Sequence, residues 1–147
     1  MSLAKYNQGY NVGVGGAVVK GRSVLFVRRA SRYGRGNWQI PGGFVDREET
    51  LDAAVVRELE EETGISDVRK VQVAAIFSHT YERTARRPYP PVHHVGIVYH
   101  VAPGLFDLRF EQDGSTDRCG WFTEAEARAL PLVPVAQFAV GLTWPKA

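Results

Sequence analysis

The sequence predicts an α/β fold, on three observations. Runs of small and β-branched residues at 12–19, 24–27, 68–77 and 92–101 have the composition of strands. The segment 50–63, about four turns long, has helical periodicity. Shorter helical signals follow at 123–126 and 133–142, so strands and helices interleave along the chain. At 147 residues and 44% hydrophobic content the chain has the usual size of one domain and enough apolar material for a core without staples. Residues 1–147 are therefore read as a single domain.

Lys20-Gly21-Arg22-Ser23 separates the first two strand runs, which are expected to form a β-hairpin. Residues 28–36 hold four arginines, a tyrosine and two glycines, a polar loop whose cations can face a ligand. Trp38-Gln39-Ile40-Pro41-Gly42-Gly43 reads as a short extended segment and a tight turn. The helix should open at Thr50 and stop at Gly64, a residue that suits the left-handed position past a helix end.

Two longer strands at 68–77 and 92–101 flank a loop, 78–91, that carries Arg83, Arg86, Arg87 and three prolines and is long enough to be functional. After Ala102-Pro103-Gly104 the chain is irregular to Phe110, turns at Asp113-Gly114-Ser115, and gives a short strand around Gly120-Trp121-Phe122. Thr123 then caps a helix, with Glu126 three residues on. A last helix is expected at 133–142.

A charged fraction of 23% and 11% aromatics are ordinary for a globular chain and exclude a low-complexity or disordered tail. Cys119 stands alone and reads as an inert small hydrophobe, compatible with a reducing compartment. No apolar run approaches the roughly 20 residues of a membrane span, and the start lacks the basic-then-apolar pattern of a secretion signal. A cytoplasmic location without a membrane partner is expected. Met1-Ser2-Leu3 is assigned no structural role, and residues 1–9 are read as either flexible or in part a cloning remnant.

The helix contains Arg57-Glu58-Leu59-Glu60-Glu61-Glu62, a run of like charges that repels itself unless cations offset it. At about 100° per residue, with Glu58 at zero, Glu61 falls near −60° and Glu62 near +40°, while Leu51, Val55 and Leu59 fall near 20°, 60° and 100°. Glu58, Glu61 and Glu62 thus adjoin or overlap the apolar stripe instead of opposing it. From this helix alone a salt-bridged solvated face is the commoner reading. Carboxylates at a core edge nevertheless call for partners, and hard divalent cations use several carboxylates together. The pattern suggests a Mg²⁺ or Mn²⁺ cluster.

The wider spacing sharpens this. From Gly43 the chain reads five residues to Glu49, seven more to Arg57-Glu58-Leu59, then Glu61-Glu62, Gly64 and Ile65. This resembles the 23-residue Nudix box at all nine defined positions, and the chain is similar to the Nudix hydrolases. The resemblance implies an α/β/α sandwich with a mixed sheet, in which Glu58 and Glu62 are metal ligands. It implies Glu61 as a third ligand or one acting through water, and the Gly42 carbonyl as a backbone ligand. Arg57 and Glu49 would pair to hold loop against helix. The implied reaction is attack of water on a pyrophosphate bridge in a nucleoside diphosphate linked to another group, with Mg²⁺ or Mn²⁺ as cofactor. Glu58, Glu61, Arg57 and Glu49 form the expected catalytic set. The proton acceptor is expected outside the box, among Asp117, Asp113, Glu111 and Glu82.

Arg28, Arg29, Arg32 and Arg35 before the box, with Arg83, Arg86 and Arg87 after it, can offer guanidinium donors to phosphate. Arg28, Arg29, Arg35 and Tyr81 are the expected substrate contacts; Tyr33 and Tyr89 can stack on a base or cover the core edge. Tyr81 lies 16 residues past Ile65, which resembles the subfamily acting on diadenosine polyphosphates, and the proline typical of the ADP-ribose subfamily is absent until Pro88. Nucleoside triphosphates, ADP-ribose and nucleotide sugars stay open. Gly13-Val14-Gly15-Gly16 continues into a strand and lacks a following Gly-Lys-Ser/Thr, so it reads as close strand packing and not a phosphate loop. His93, His94 and His100 read as sheet or pocket histidines.

The alternative function is a non-catalytic Nudix-fold nucleotide sensor. No nucleic-acid partner is expected, and a homodimer is open because many relatives are dimers. The formal charge of +2 divides unevenly: Gly43 to Ile65 has eight acids and two arginines, leaving sixteen basic and eight acidic residues elsewhere. An acidic centre in a basic surround suits an anionic nucleotide arriving with its cation.

Overall fold

Strand β1 (Tyr10–Lys20) is the axis of the computed structural model, which describes residues 10–32, 34–85, 88 and 90–146. The expectations for residues 1–9, Tyr33, Arg86, Arg87 and Tyr89 lie outside the described residues. β1 runs parallel to β6 (Val92–Pro103), in register from Tyr10 opposite His93 to Val18 opposite Val101. β6 pairs antiparallel with β5 (Val68–Tyr81).

On its other side β1 accepts β4 (Gly42–Phe44), antiparallel, and further along β2 (Ser23–Arg29). The expected hairpin is therefore short. β1 and β2 pair only at Val19 with Val24 and Lys20 with Ser23, then splay so that β2 meets β3 (Trp38–Gln39) and β7 (Thr116–Phe122). The sheet is mixed, ordered β3-β2-β1-β6-β5 with β4 and β7 branching from it.

Helices cover both faces, which explains why the central strands read as continuous apolar runs. Val14 and Val18 pack with Leu25 and Val27 against Ala54, Val55 and Leu59 of α1 (Leu51–Thr63). Ala17, Val24 and Phe26 pack on the reverse face with Ala136, Ala139 and Val140 of α3 (Pro134–Thr143). Between β7 and α3 lies α2 (Glu124–Arg128), closed by the capping box expected of Thr123 and Glu126. This is an α/β/α arrangement.

Helix α1 begins and ends where its local chemistry dictates. The Thr50 hydroxyl accepts from the Ala53 amide, and Gly64 takes a left-handed φ of 81° while its amide donates to Glu60 O. Leu51, expected in the apolar stripe, is 37% exposed at the first position of the helix. The buried stripe is Ala54, Val55, Glu58, Leu59, Glu62 and Thr63.

Strand β5 is longer than expected and continues to Tyr81, which pairs with Val92, so the following loop starts at residue 82. β7 likewise opens at Thr116, ahead of Gly120. Among the described residues no helix is long and apolar enough to cross a membrane.

Candidate active site

The β1–β4 crossing leaves no room for a side chain at Gly42. A Cβ there would lie 2.0 Å from the Val14 carbonyl oxygen. The backbone so held presents the Gly42 amide to helix α1, where it donates a 2.7 Å hydrogen bond to Glu62 Oε1. Glu62 is 1% exposed, and Ser115 Oγ stands 3.5 Å from its other oxygen. One residue along, Gly43 supports Glu58: a Cβ would sit 2.6 Å from Glu58 Oε1. Two carboxylates one helical turn apart are thus laid against a glycine strand.

Their surroundings disfavour charge. Burial pushes the Glu62 carboxyl well above the ordinary carboxylate range, helped by Glu58, Glu111 and Glu61 and opposed by the Gly42 amide. Burial also raises Glu58, with Arg57 pulling the other way and Glu61 and Glu111 adding to the rise. Glu61 differs from the expectation of a stripe-edge acid, with its side chain 50% exposed.

Arg57 ties the loop to the helix. Its Nε lies 2.6 Å from Glu49 Oε2 and its Nη2 2.9 Å from Oε1, the fork geometry that arginine supplies and lysine does not. Nη2 also donates to Phe44 O at 3.2 Å, and Nη1 to Glu58 Oε1 at 3.0 Å. Glu61 lies 3.3 Å from Nη1 and Asp46 3.5 Å from Nη2. The Arg57 hydrogen bonds, with the Asp46 amide, hold Glu49 down at about 2.

Of the four acids outside the box considered as proton acceptor, Glu111 is brought to the cluster, close enough to raise both Glu58 and Glu62. Its Oε1 accepts from the Thr116 amide at 3.0 Å and the Thr116 hydroxyl at 2.8 Å. Asp117 is instead gripped by Arg28, at 2.8 and 3.1 Å, and lies below its ordinary range for that reason. Asp113 is exposed in the turn with φ 54°, and Glu82 is exposed just past β5. Burial, then the Glu62 charge, pushes Cys119 up to about 11, so its thiol stays protonated.

The other expected substrate contacts are spread out. Arg28 faces Asp117, and Arg29 donates to Gln39 Oε1 and Ser31 Oγ. Arg35 is exposed in the loop after β2. Tyr81 is half-buried at the end of β5, its ring 4.7 Å from that of His79 and 6.2 Å from that of His94.

Among the described residues no three histidine, cysteine, aspartate or glutamate side chains are drawn together as a finished metal cage. The donor chemistry nonetheless fits a hard divalent cation. Glu58, Glu62 and Glu111 offer only oxygens and repel one another, and among the described residues no cationic side chain pairs with Glu62.

A mixed sheet between helices, with an acidic helix laid against a glycine strand beside an arginine-pinned loop, is the architecture of one class of phosphate-handling domain. The NUDIX domain profile matches residues 9–139, and the chain belongs to that family. An ADP-ribose pyrophosphatase of Methanocaldococcus jannaschii is 43% identical over 54 residues, covering 37% of this chain and 32% of that protein. An RNA pyrophosphohydrolase of Zymomonas mobilis is 37% identical over 76 residues, 52% of this chain and 46% of that one. The chain therefore spans less than half the length of these curated relatives.

Among solved structures, a MutT NUDIX hydrolase from Burkholderia pseudomallei superposes with TM-score 0.77 at 27% identity, over 90% of this chain and 97% of that one. The NUDIX domain of Shewanella oneidensis NrtR, solved with ADP ribose, shares the fold with TM-score 0.72 at 21% identity, over 97% and 96% of the two chains.

Proposed function

We propose that the chain is a metal-dependent Nudix pyrophosphohydrolase that cleaves a phosphoric anhydride in a nucleoside diphosphate linked to another group. The observation that carries this reading is the burial of Glu58 and Glu62 against Gly42 and Gly43. Arg57 offsets part of the Glu58 charge and the Gly42 amide part of the Glu62 charge, and a bound divalent cation would offset the remainder. The intact box, the fold and relatives named for pyrophosphatase activity support it.

Mg²⁺ or Mn²⁺ held by Glu58, Glu62, Glu61 and the Gly42 carbonyl would neutralise phosphate oxygens and acidify the attacking water. The protein's own part is positioning and proton transfer. The Gly42 amide fixes Glu62 through Oε1, and Oε2, 3.5 Å from the Ser115 hydroxyl, is the oxygen that would meet the cation. Arg57 and Glu49 fix the approach of loop and helix without touching the reacting atoms. Glu111, held through Oε1 by Thr116, keeps Oε2 for the proton of the water, a role that contributes about 10²–10⁴-fold. A nucleotide in the cytoplasm is the expected encounter, with nucleoside triphosphates, dinucleoside polyphosphates, ADP-ribose and nucleotide sugars as the candidate classes.

The test is a substrate panel drawn from those four classes, incubated with purified protein and Mg²⁺ or Mn²⁺ in ¹⁸O-labelled water, with products read by mass spectrometry. Metal-dependent cleavage of at least one member is expected, and the label identifies the phosphorus attacked. Tight nucleotide binding with no cleavage under any metal would return the chain to the sensor reading.

A further inference from the structure

Strand β4, against which the acidic cluster of α1 is laid, has a second face. Side chains alternate along a strand, so Gly43 underlies Glu58 while its neighbour Phe44 points to the reverse of the sheet, where its ring meets that of His94 edge-on at 6.4 Å. Phe77 and Tyr81 from β5 stand 6.1 and 6.2 Å from the same imidazole. The His94 ring lies on a floor of glycine: a Cβ on Gly13 would come 2.8 Å from its Cε1, and one on Gly96 would come 3.2 Å from its Nε2. Gly13 and Gly96 are also direct partners across the β1–β6 pair.

The protonation of His94 is set by a partner. Asn11 Oδ1 can only accept, so the hydrogen bond it shares with Nδ1 places the ring proton there and leaves Nε2 as an acceptor. Among the described residues Nε2 has no hydrogen-bond partner. Burial, with His79 and His93 nearby, lowers the His94 pKa and keeps the ring neutral. The result is a half-buried, uncharged aromatic recess with one oriented acceptor, on the other side of a single strand from the carboxylates.

We propose that this recess binds the nucleobase of the substrate, with Phe44 and Tyr81 as stacking surfaces and His94 Nε2 accepting a hydrogen bond from an exocyclic amino group. It selects amino-bearing bases, adenine foremost, over bases that present no donor at that position. This rests on the proposed function for the identity of the ligand, and it assigns that ligand's recognition end. A site built around a hydrogen bond rejects analogues lacking the donor more strongly than an apolar slot does.

The experiment uses adenosine and purine riboside, which lacks the amino group. Neither has a phosphate, so the outcome is independent of metal and of hydrolysis. The expected result, by calorimetry and ¹⁵N NMR of the histidine rings, is adenosine binding that moves the His94 Nε2 signal, with purine riboside at least tenfold weaker. His94→Phe should keep stacking and lose the preference; Asn11→Ala, which frees the tautomer, should weaken it with His94 intact. The proposal is overturned if the wild type binds neither nucleoside, if both bind equally, or if the shifts map away from His94. Adenosine binding without hydrolysis of any nucleotide would retain the recess and refute the enzyme instead.

Discussion

Glu62 Oε1 accepts a 2.7 Å hydrogen bond from the Gly42 amide, which couples the most deeply buried carboxylate of α1 to the backbone of β4. A neutral glutamine can keep that bond through its own oxygen. Glu62→Gln should therefore leave the metal-free protein as stable as the wild type or more so, since it removes a buried charge, while metal-dependent turnover falls by about a thousandfold or more, within the range ascribed to metal catalysis. Thermal melts in EDTA paired with initial rates check both halves.

The raised Glu58 and Glu62 carboxyls make a signed prediction about pH. A group whose folded pKa lies above its unfolded value contributes stability below the unfolded value, and that contribution fades as pH rises through the folded one. Without metal, melting temperature should fall as pH rises from the ordinary glutamate range, about 4.3, toward neutrality, and Mg²⁺ should restore it at neutral pH. Glu49, held at about 2, acts in the opposite sense, with its contribution lost only as pH falls from the ordinary range toward that value. Melts from acid to neutral pH, with and without Mg²⁺, read the two limbs. Stability flat across that window in EDTA would contradict the buried-charge account.

Glu111 and Asp117 divide cleanly. Glu111 lies at the carboxylate cluster, whereas Asp117 is engaged by Arg28 in a half-exposed pair. Glu111→Gln should lower kcat by about 10²–10⁴-fold, measured as initial rates at saturating substrate and metal. Asp117→Asn should change kcat little and stability by about 0–1 kcal/mol, as for exposed ion pairs.

Arg57→Lys keeps the charge and loses the fork to Glu49. Because Arg57 also touches Phe44 O and Glu58, the expected loss falls on kcat more than KM, by about tenfold or more, as for misplaced positioning groups. Steady-state kinetics with the panel's best substrate measure the split.

Two glycines give opposite stability predictions. Gly42→Ala drives a Cβ into the Val14 carbonyl, a backbone atom that cannot swing aside, and should destabilise by about 1–3 kcal/mol or more. Gly141, inside α3 with open space around it, should gain about 0.5–1 kcal/mol on substitution by alanine. Urea denaturation of both variants decides it.

What could be read from the sequence was what is local. Thr50, Gly64 and the Thr123–Glu126 box carry their caps in their own side chains or φ, and the angular position of Glu58 and Glu62 already set them beside Val55 and Leu59. Periodicity puts Leu51 in the apolar stripe, yet it is exposed, because periodicity describes the helix and not which of its turns is covered. Polar Ser78, His79 and Thr80 make the segment up to Tyr81 read as loop, although it is strand, because its pairing is supplied by β6. Choosing Glu111 over Asp117, or pairing His94 with Asn11, depends on partners far apart in the chain, as Arg28 with Asp117 across 89 positions shows. No local pattern encodes such contacts.

The central claim, that Glu58 and Glu62 hold a divalent cation for pyrophosphate hydrolysis, is tested most directly by Mn²⁺ titration followed by electron paramagnetic resonance. The wild type should show at least one protein-bound Mn²⁺ that Mg²⁺ displaces, and Glu62→Gln, folded by circular dichroism, should lose it together with hydrolysis. Undiminished Mn²⁺ binding in that variant would place the metal elsewhere and contradict the account.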